Sequence, residues 1–349
     1  MIKIKNGLNI PVAGRPQQSI HGGHEVEQVA LCGPDHVGLK PRMLVSEGDK
    51  VTLGQPLFID KHHPGVPYCS PGTGQVVAIN RGPRRVLHSV VVQLEDQAAG
   101  KELYEPFTES RILRLEHAEA ADRLRESGLW AAFRQRPFNR VPHSDSVPRS
   151  IFVTAIDTRP LAANPQVIIR EQAEAFANGL RVLPVLTDGP VFLCTAPDWD
   201  IPVPESDRIR QVAFSGPHPA GLPGTHIHHL DPVGPEREVW HVGYQDVIAI
   251  GKLFGEGKLD YSRVVAIGGS CVDEPRLVRT RLGASVHELV GPCSGGCHGF
   301  RLITGSVLGG RTAQGGLAYL GRFHNQVSVI PEGGDRHLFG WTGVFPWRY

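Results

Sequence analysis

The sequence predicts a mixed, multidomain α/β protein, and three observations lead there. Residues 26–94 hold short β-branched runs cut by turn residues, strand-like and helix-like segments alternate between about 110 and 255, and after residue 259 short strands return around one helix. A chain of 349 residues, at roughly 100 to 200 residues per domain, has room for two or three such units. Gly (41) and Pro (29) together make up about a fifth of the chain, against an ordinary share of about 12%, which favours turns and short strands over a helical bundle.

Charge and hydropathy exclude several classes. Lys plus Arg number 36 against 35 Asp plus Glu, a net charge of +1, so no long-range field draws nucleic acid or acidic lipid. No apolar run approaches the roughly 18 residues that a membrane-spanning helix requires; Val247 to Ile250 is typical of the longest. After Lys3 and Lys5 come Asn6, Gly7, Asn9 and Pro11 instead of an apolar core, so no signal peptide is predicted and a cytosolic location is expected. The six cysteines, Cys32, Cys69, Cys194, Cys271, Cys293 and Cys297, are too sparse for a disulfide framework and read as reduced, mostly buried thiols.

In the first region, Val26 to Leu31, Met43 to Val45, Pro56 to Ile59, Gly74 to Ile79 and Val86 to Leu94 are expected as strands. Val45-Ser-Glu-Gly-Asp-Lys-Val51, Gly54-Gln-Pro-Leu57 and Ser70-Pro-Gly-Thr-Gly-Gln-Val76 place Gly and Asp where tight turns need a positive φ or a side-chain cap. This stretch resembles a barrel-sandwich hybrid of the biotinyl/lipoyl type. In carriers of that type a lysine at a hairpin tip bears the prosthetic group, and Lys61 lies near that place. Its neighbours His62, His63, Pro64 and Gly65 differ from the small or apolar residues of a carrier tip, so Lys61 is expected to be solvated and unmodified.

In the middle, Ser150 to Ile156 reads as a buried strand, and Gln166 to Asn178 as a helix with Val167, Ile168, Ala173 and Phe176 on its apolar face. Val182 to Leu186, Val191 to Thr195 and Gln211 to Ser215 add strands, and Tyr244 to Phe254 adds a helix, the alternation of a Rossmann-like parallel sheet. Phosphate cradles in such folds need G-x-G-x-x-G or G-x-x-x-x-G-K-[ST], and neither pattern occurs. Residues 127–142 instead carry Trp130, Phe133 and Phe138 with Arg134, Arg136 and Arg140. Aromatic faces edged by arginine suit a flat ligand with carbonyl oxygens, such as a quinone head group. The competing reading packs Leu129, Trp130 and Phe133 into the core and leaves the arginines in water.

The third region reads as strands at Arg263 to Gly268 and Leu277 to Arg279, a helix started by Ser285, and a strand at Phe300 to Gly305, which resembles an SLBB-type β-grasp module. Cys293, Cys297 and His298 are zinc ligands in kind, but C-x3-C with one neighbouring histidine lacks a fourth ligand, so they are weak metal candidates. Cys271 reads as a buried thiol. No Ser-His-Asp order or paired-carboxylate motif supports hydrolytic chemistry.

The stretches Phe214 to His228, Asp231-Pro-Val-Gly234, Val239-Trp-His241 and Tyr244 to Lys252 form a distinctive set. They resemble the A subunit of the sodium-translocating NADH:quinone oxidoreductases, bacterial respiratory pumps. The resemblance extends through Ile2 to Leu8, Pro41 to Leu57, Ser127 to Pro142, Ile151 to Thr158, Pro275-Arg-Leu-Val-Arg279, Gly283-Ala-Ser285, Ile303 to Leu308 and Leu320 to Ile330.

The resemblance implies a fold related to the flavin-binding subunit of respiratory complex I. The places that look equivalent to that relative's glycine-rich loop and acidic E-x-E-P stretch are Gly128 to Val141, with bulky residues, and Asp157-Thr-Arg-Pro160, with the acidic pair largely gone. The resemblance implies that the chain carries no flavin or iron-sulfur centre of its own, and that the whole complex uses NADH, flavins, an iron-sulfur centre and quinone. The expected division is a barrel-sandwich module with the N-terminal strand in residues 1–105, a Rossmann-like domain in 106–258, an SLBB-like domain in 259–332, and in 333–349 the start of a truncated C-terminal segment.

The expected role is that of a peripheral component on the cytoplasmic side of the bacterial inner membrane, enzymatic only as part of the translocase. Its expected partners are the membrane subunits, with quinone contacts through Trp130, Phe133, Arg134, Arg136 and Phe138, no catalytic residues, and no nucleic acid. His226, His228 and His229 are expected as hydrogen-bonded neutral imidazoles. The alternatives are a purely structural scaffold and a carrier or adaptor module.

Overall fold

The computed structural model describes residues 1–23, 25–235, 237–291, 297 and 299–333. Its central sheet has six strands in the order Ile2–Lys3, Ile209–Ser215, Val191–Thr195, Ile151–Ala155, Val239–Gly243 and Arg134–Arg136. The first five run parallel, and Arg134–Arg136 closes the edge antiparallel to Val239–Gly243. Val191–Thr195 is buried throughout, as a strand covered on both faces must be. Successive residues alternate between two cores: Ile151 and Val153 face the helices Ala173–Val182 and Tyr244–Gly255, while Phe152 joins Phe192, Phe214 and Ile227 beneath the helix Pro223–Leu230.

Two local expectations change. The helix expected over Gln166 to Asn178 is two, Pro165–Glu171 and Ala173–Val182, with the Asn164 side chain capping the first and Gln172 (φ −132°, ψ 37°) breaking the run. Val182 to Leu186 is not a strand; it ends the second helix and passes into the 3-10 turn Leu183–Leu186. A fully buried apolar run has no periodicity to tell strand from helix, and Pro184 suits the first turn of a helix.

The first module packs a sheet of Gln28–Cys32, Leu87–Leu94, Gly74–Arg81 and Lys50–Val51 with a sheet of Pro41–Met43, Pro56–Asp60 and Pro67–Cys69. Val29, Leu57, Phe58, Val76, Val90 and Val92 are all buried in the resulting core, and Phe58 stacks on Tyr68 with ring centres 4.9 Å apart. The third sheet runs Gln17–His21, Arg276–Arg281, Ser262–Gly268, Gln326–Pro331, Phe300–Thr304 and Arg311–Thr312. Its helix, Val286–Val290, starts where the sequence places it, with the Ser285 side chain accepting from the Glu288 N–H.

The chain ends of the modules are interwoven. Ile2–Lys3 pairs with Phe214 and Ser215 in the central sheet, and Gln17–His21 pairs with Arg276 to Val278 in the third. The N-terminal strand is therefore hydrogen-bonded into the central sheet. Gly100–Glu102 pairs with Lys258–Asp260 across the other boundary.

Cys271, expected as a buried thiol, is bonded to Cys297, with Cα atoms 5.7 Å apart across 26 residues of sequence. The turn after Ser262–Gly268 and the segment after Val286–Val290 converge only in the folded sheet, so no local pattern announces the pair. Cys32, Cys69 and Cys194 are free and buried.

Candidate functional site

In open parallel sheets, ligand crevices form beyond the carboxyl ends of the strands. Here Ile151–Ala155 runs out into Asp157 and Arg159, and Val239–Gly243 runs directly into the helix Tyr244–Gly255. A cavity of about 60 Å³ sits at these ends, lined by Arg134, Thr154, Asp157, Arg159, His241 and Tyr244, and roofed by Arg322 and Phe323 from the third domain. A second cavity of about 390 Å³ adjoins it, sharing Arg134, Asp157, Arg159 and Phe323 and adding Asp35, Arg311 and His324.

The charges here are buried and mostly paired. Arg159 Nη1 donates to Asp157 Oδ2 at 3.0 Å, and Asp246 Oδ1 accepts from Arg263 Nη2 at 2.5 Å and Arg322 Nη1 at 2.7 Å. Asp35 accepts from Arg311; burial pushes its carboxyl up, but the guanidinium outweighs that and holds it below the usual range. Arg134 stands apart. Its guanidinium carbon lies 4.1 Å from the Phe323 ring centre, no carboxylate among the described residues pairs with it, and burial together with Arg136 and Arg159 pulls its pKa down to about 10. Burial, reinforced by Arg134 and Arg136, holds His241 well below the usual histidine value, so it is neutral.

Several buried histidines make the fold sensitive to acid. Burial pulls His36, His226 and His324 down to about 4. A neutral histidine in the folded chain that would charge near 6.5 when unfolded contributes stability above that pH, and this is lost as pH falls toward 4. Each group contributes up to about 1.4 kcal/mol per pH unit inside that window. Thermal unfolding from pH 8 to 4.5 should show a nearly constant Tm down to pH 6.5 and a steep fall below it; a flat profile to pH 4.5 would contradict these placements.

The structure separates the five residues proposed from sequence for quinone contact. Trp130 and Phe133 have no exposed surface and form a ring cluster with Trp240, with centres 5.3 to 6.0 Å apart. Trp130 Nε1 donates to the Pro142 carbonyl at 3.0 Å, which ties the start of the segment to its end. Arg134 reaches the cavities, Arg136 is half-buried on the edge strand, and Phe138 is 64% exposed beyond it. Arg159, His241, Arg322 and Phe323 are not among the contact residues expected from the sequence; their signals there are the Asp157-Thr-Arg-Pro160 stretch and the motifs Val239-Trp-His241 and Leu320 to Ile330.

The remaining candidates resolve individually. Lys61 is exposed between the strands Pro56–Asp60 and Pro67–Cys69. Cys297 has its sulfur in the disulfide and is withdrawn from the weak metal set, while Cys293 and His298 lie outside the described residues. His226 is buried, with Nε2 donating to the Ala220 carbonyl at 2.9 Å, whereas His228 and His229 are exposed with rings 5.2 Å apart. Among the described residues, no three His, Cys, Asp or Glu side chains converge on a metal position.

Known families match along the chain in the same order as its three modules. Residues 2–95 match the NqrA N-terminal barrel-sandwich hybrid domain, 115–259 the NqrA second alpha/beta domain, and 264–315 the NQRA C-terminal domain, whose model is of SLBB type. The A subunit of the Na(+)-translocating NADH-quinone reductase of Saccharophagus degradans is 53% identical over 337 residues, 96% of this chain and 74% of that protein. The chain belongs to the NqrA family of these reductases. Other NqrA relatives agree: that of Pseudomonas aeruginosa PAO1 is 54% identical over 97% of this chain and 75% of its own length, and that of Serratia proteamaculans is 49% identical over 100% and 78%. Among solved structures, an NAD+-reducing [NiFe]-hydrogenase in the H2-reduced state is similar over 63% of this chain and 48% of that one. Its 11% identity and TM-score of 0.45 are too low to carry a conclusion. The multidomain α/β fold expected for NqrA is the one observed, and no helix among the described residues is long and apolar enough to cross a membrane.

Proposed function

We propose that this chain is a peripheral subunit on the cytoplasmic side of a sodium-pumping NADH:quinone reductase, without a redox cofactor of its own, and that it docks to the membrane subunits through residues 134–140. The observation that supports this is a presented hairpin. Arg134–Arg136 is the edge strand of the central sheet, Gln135 bridges back to Arg140, and Phe138 stands exposed between them with the Arg140 guanidinium 5.8 Å from its ring. Exposed aromatics flanked by arginine are the residue types enriched at interface cores. The buried Trp130, Phe133 and Trp240 cluster holds the hairpin's base, so its tip is offered with little ordering cost.

A cofactor-free role fits the same segment. Where flavin-binding relatives would need glycines to admit a phosphate, Trp130 and Phe133 fill the core. NADH oxidation and electron carriage then belong to partner subunits. A quinone contact, if this chain makes one, falls to Arg136 and Phe138, because the faces of Trp130 and Phe133 are enclosed.

The test is the pair Phe138→Ala, Arg140→Ala introduced into the whole complex, reading both retention of this chain on membranes and the KM for a short-tailed quinone. Retention is expected to fall at least several-fold while the KM of the complex that still assembles is unchanged. Full retention would sink the docking assignment, and full retention with a raised KM would move the segment to the quinone.

A further inference from the structure

Three guanidinium groups line the 60 Å³ cavity at the strand ends, those of Arg134, Arg159 and Arg322, against two carboxylates, Asp157 and Asp246. Both carboxylates are already engaged. Asp157 accepts from the Arg159 backbone N–H at 2.9 Å and from its guanidinium, and Asp246 is shared between Arg322 and a fourth arginine, Arg263. Arg134 has only the Phe323 ring against it. The local count is four buried or half-buried positive charges against two negative ones.

Unmet hydrogen-bonding capacity has the same sign. Two side chains that line this cavity, each more than nine-tenths buried, have a nitrogen without a hydrogen-bond partner: Nε2 of His241, 2% exposed, and Nη2 of Arg322, 7% exposed. A guanidinium nitrogen is always a donor, and a neutral imidazole donates from whichever nitrogen carries its proton. Leaving such buried donors unmet opposes folding, and a bound acceptor would relieve it. The first turn of the helix Tyr244–Gly255 lines the same wall and presents its positive end. At roughly 10 to 15 Å³ for each water, the cavity admits about four to six heavy atoms, the size of a carboxylate or phosphate group.

We propose that this cavity binds a small oxyanion group, held between Arg134 and Arg322 with His241 donating from Nε2. The adjoining 390 Å³ cavity, which shares Arg134, Asp157, Arg159 and Phe323, gives an organic body attached to the anion somewhere to lie. Arg134 serves as the latch, since it lines both cavities and no carboxylate among the described residues forms an ion pair with it. This site shares Arg134 with the hairpin but not its tip, so it stands apart from the docking reading, which is tested at Phe138 and Arg140.

The experiment is a calorimetric and thermal-shift titration of the purified chain at constant ionic strength, with inorganic phosphate replacing chloride and parallel arms of sulfate and succinate. One saturable site per chain is expected, with a Tm that rises and levels off. Saturation by phosphate and sulfate assigns a tetrahedral anion, and saturation by succinate alone a carboxylate. Arg134→Gln is expected to weaken binding at least tenfold, and Arg134→Lys to retain most of it. Saturation in none of the three arms by wild type, or equal saturation by Arg134→Gln, overturns the proposal and leaves a water-filled cavity. Should Arg134→Gln fold poorly, the wild-type stoichiometry together with Arg134→Lys still decides.

Discussion

Asp246→Asn is expected to destabilise the chain by about 3 to 5 kcal/mol, because it strands two buried arginines at once. The Asp246 carboxylate is 6% exposed, sits in the first turn of the helix Tyr244–Gly255, and takes two guanidinium groups from the third domain, those of Arg263 and Arg322. Neither arginine can turn out to water: Arg263 is 4% exposed on the strand Ser262–Gly268, and Arg322 is enclosed beneath Phe323. Urea unfolding should show a lower midpoint. Adding Arg322→Gln to Asp246→Asn should recover part of the loss, since one of the two stranded charges is removed. A single-variant loss below 1 kcal/mol would mean that the two arginines do not depend on this carboxylate. The carboxylate also fastens the third domain to the central one, so unfolding of Asp246→Asn should lose its single cooperative transition before its secondary structure.

Gly251→Ala is expected to lower stability by about 2 to 3 kcal/mol, against the usual gain of about 1 kcal/mol for alanine over glycine inside a helix. The helices Ala173–Val182 and Tyr244–Gly255 meet backbone to backbone: a Cβ on Gly251 would lie 1.6 Å from the Ala175 carbonyl oxygen, and one on Gly179 would lie 2.0 Å from that of Val247. Neither obstacle is a side chain that can swing away, so the helices must part and unpack Phe176, Leu180 and Val247 beneath them. Gly224 in the helix Pro223–Leu230 is the control. Nothing lies within 4 Å of its added Cβ, so Gly224→Ala should leave Tm unchanged or raise it slightly. Equal Tm shifts for the two variants would contradict the close crossing.

The readability of individual segments followed how local their signals were. Tyr244–Gly255 and the Ser285-capped helix are legible because spacing and caps are written within a few residues. The strand Val239–Gly243 is not, since Val-Trp-His-Val-Gly has neither alternation nor turn boundaries, yet it lies beside Ile151–Ala155 at the middle of the site. Residues 127–142 were legible as a segment with a special composition and illegible as a surface. The same Trp130 and Phe133 fit a ligand wall or a core, and only the position of Trp240 decides for the core.

By itself, then, the sequence determined the class of fold, the order of its three modules, the lack of a phosphate loop and the family. All of these are carried by contiguous residues whose spacing encodes backbone geometry or matches long motifs. The tertiary structure alone decided that Ile2–Lys3 joins the central sheet and Gln17–His21 the third, that Cys271 meets Cys297, and that Arg134, Arg159, His241 and Arg322 surround one cavity. Arg134 and Arg322 alone are 188 positions apart along the chain. What brings them together is burial of apolar faces on both sides of a parallel sheet, a non-local and non-directional force that leaves no trace in the spacing of the polar residues it gathers.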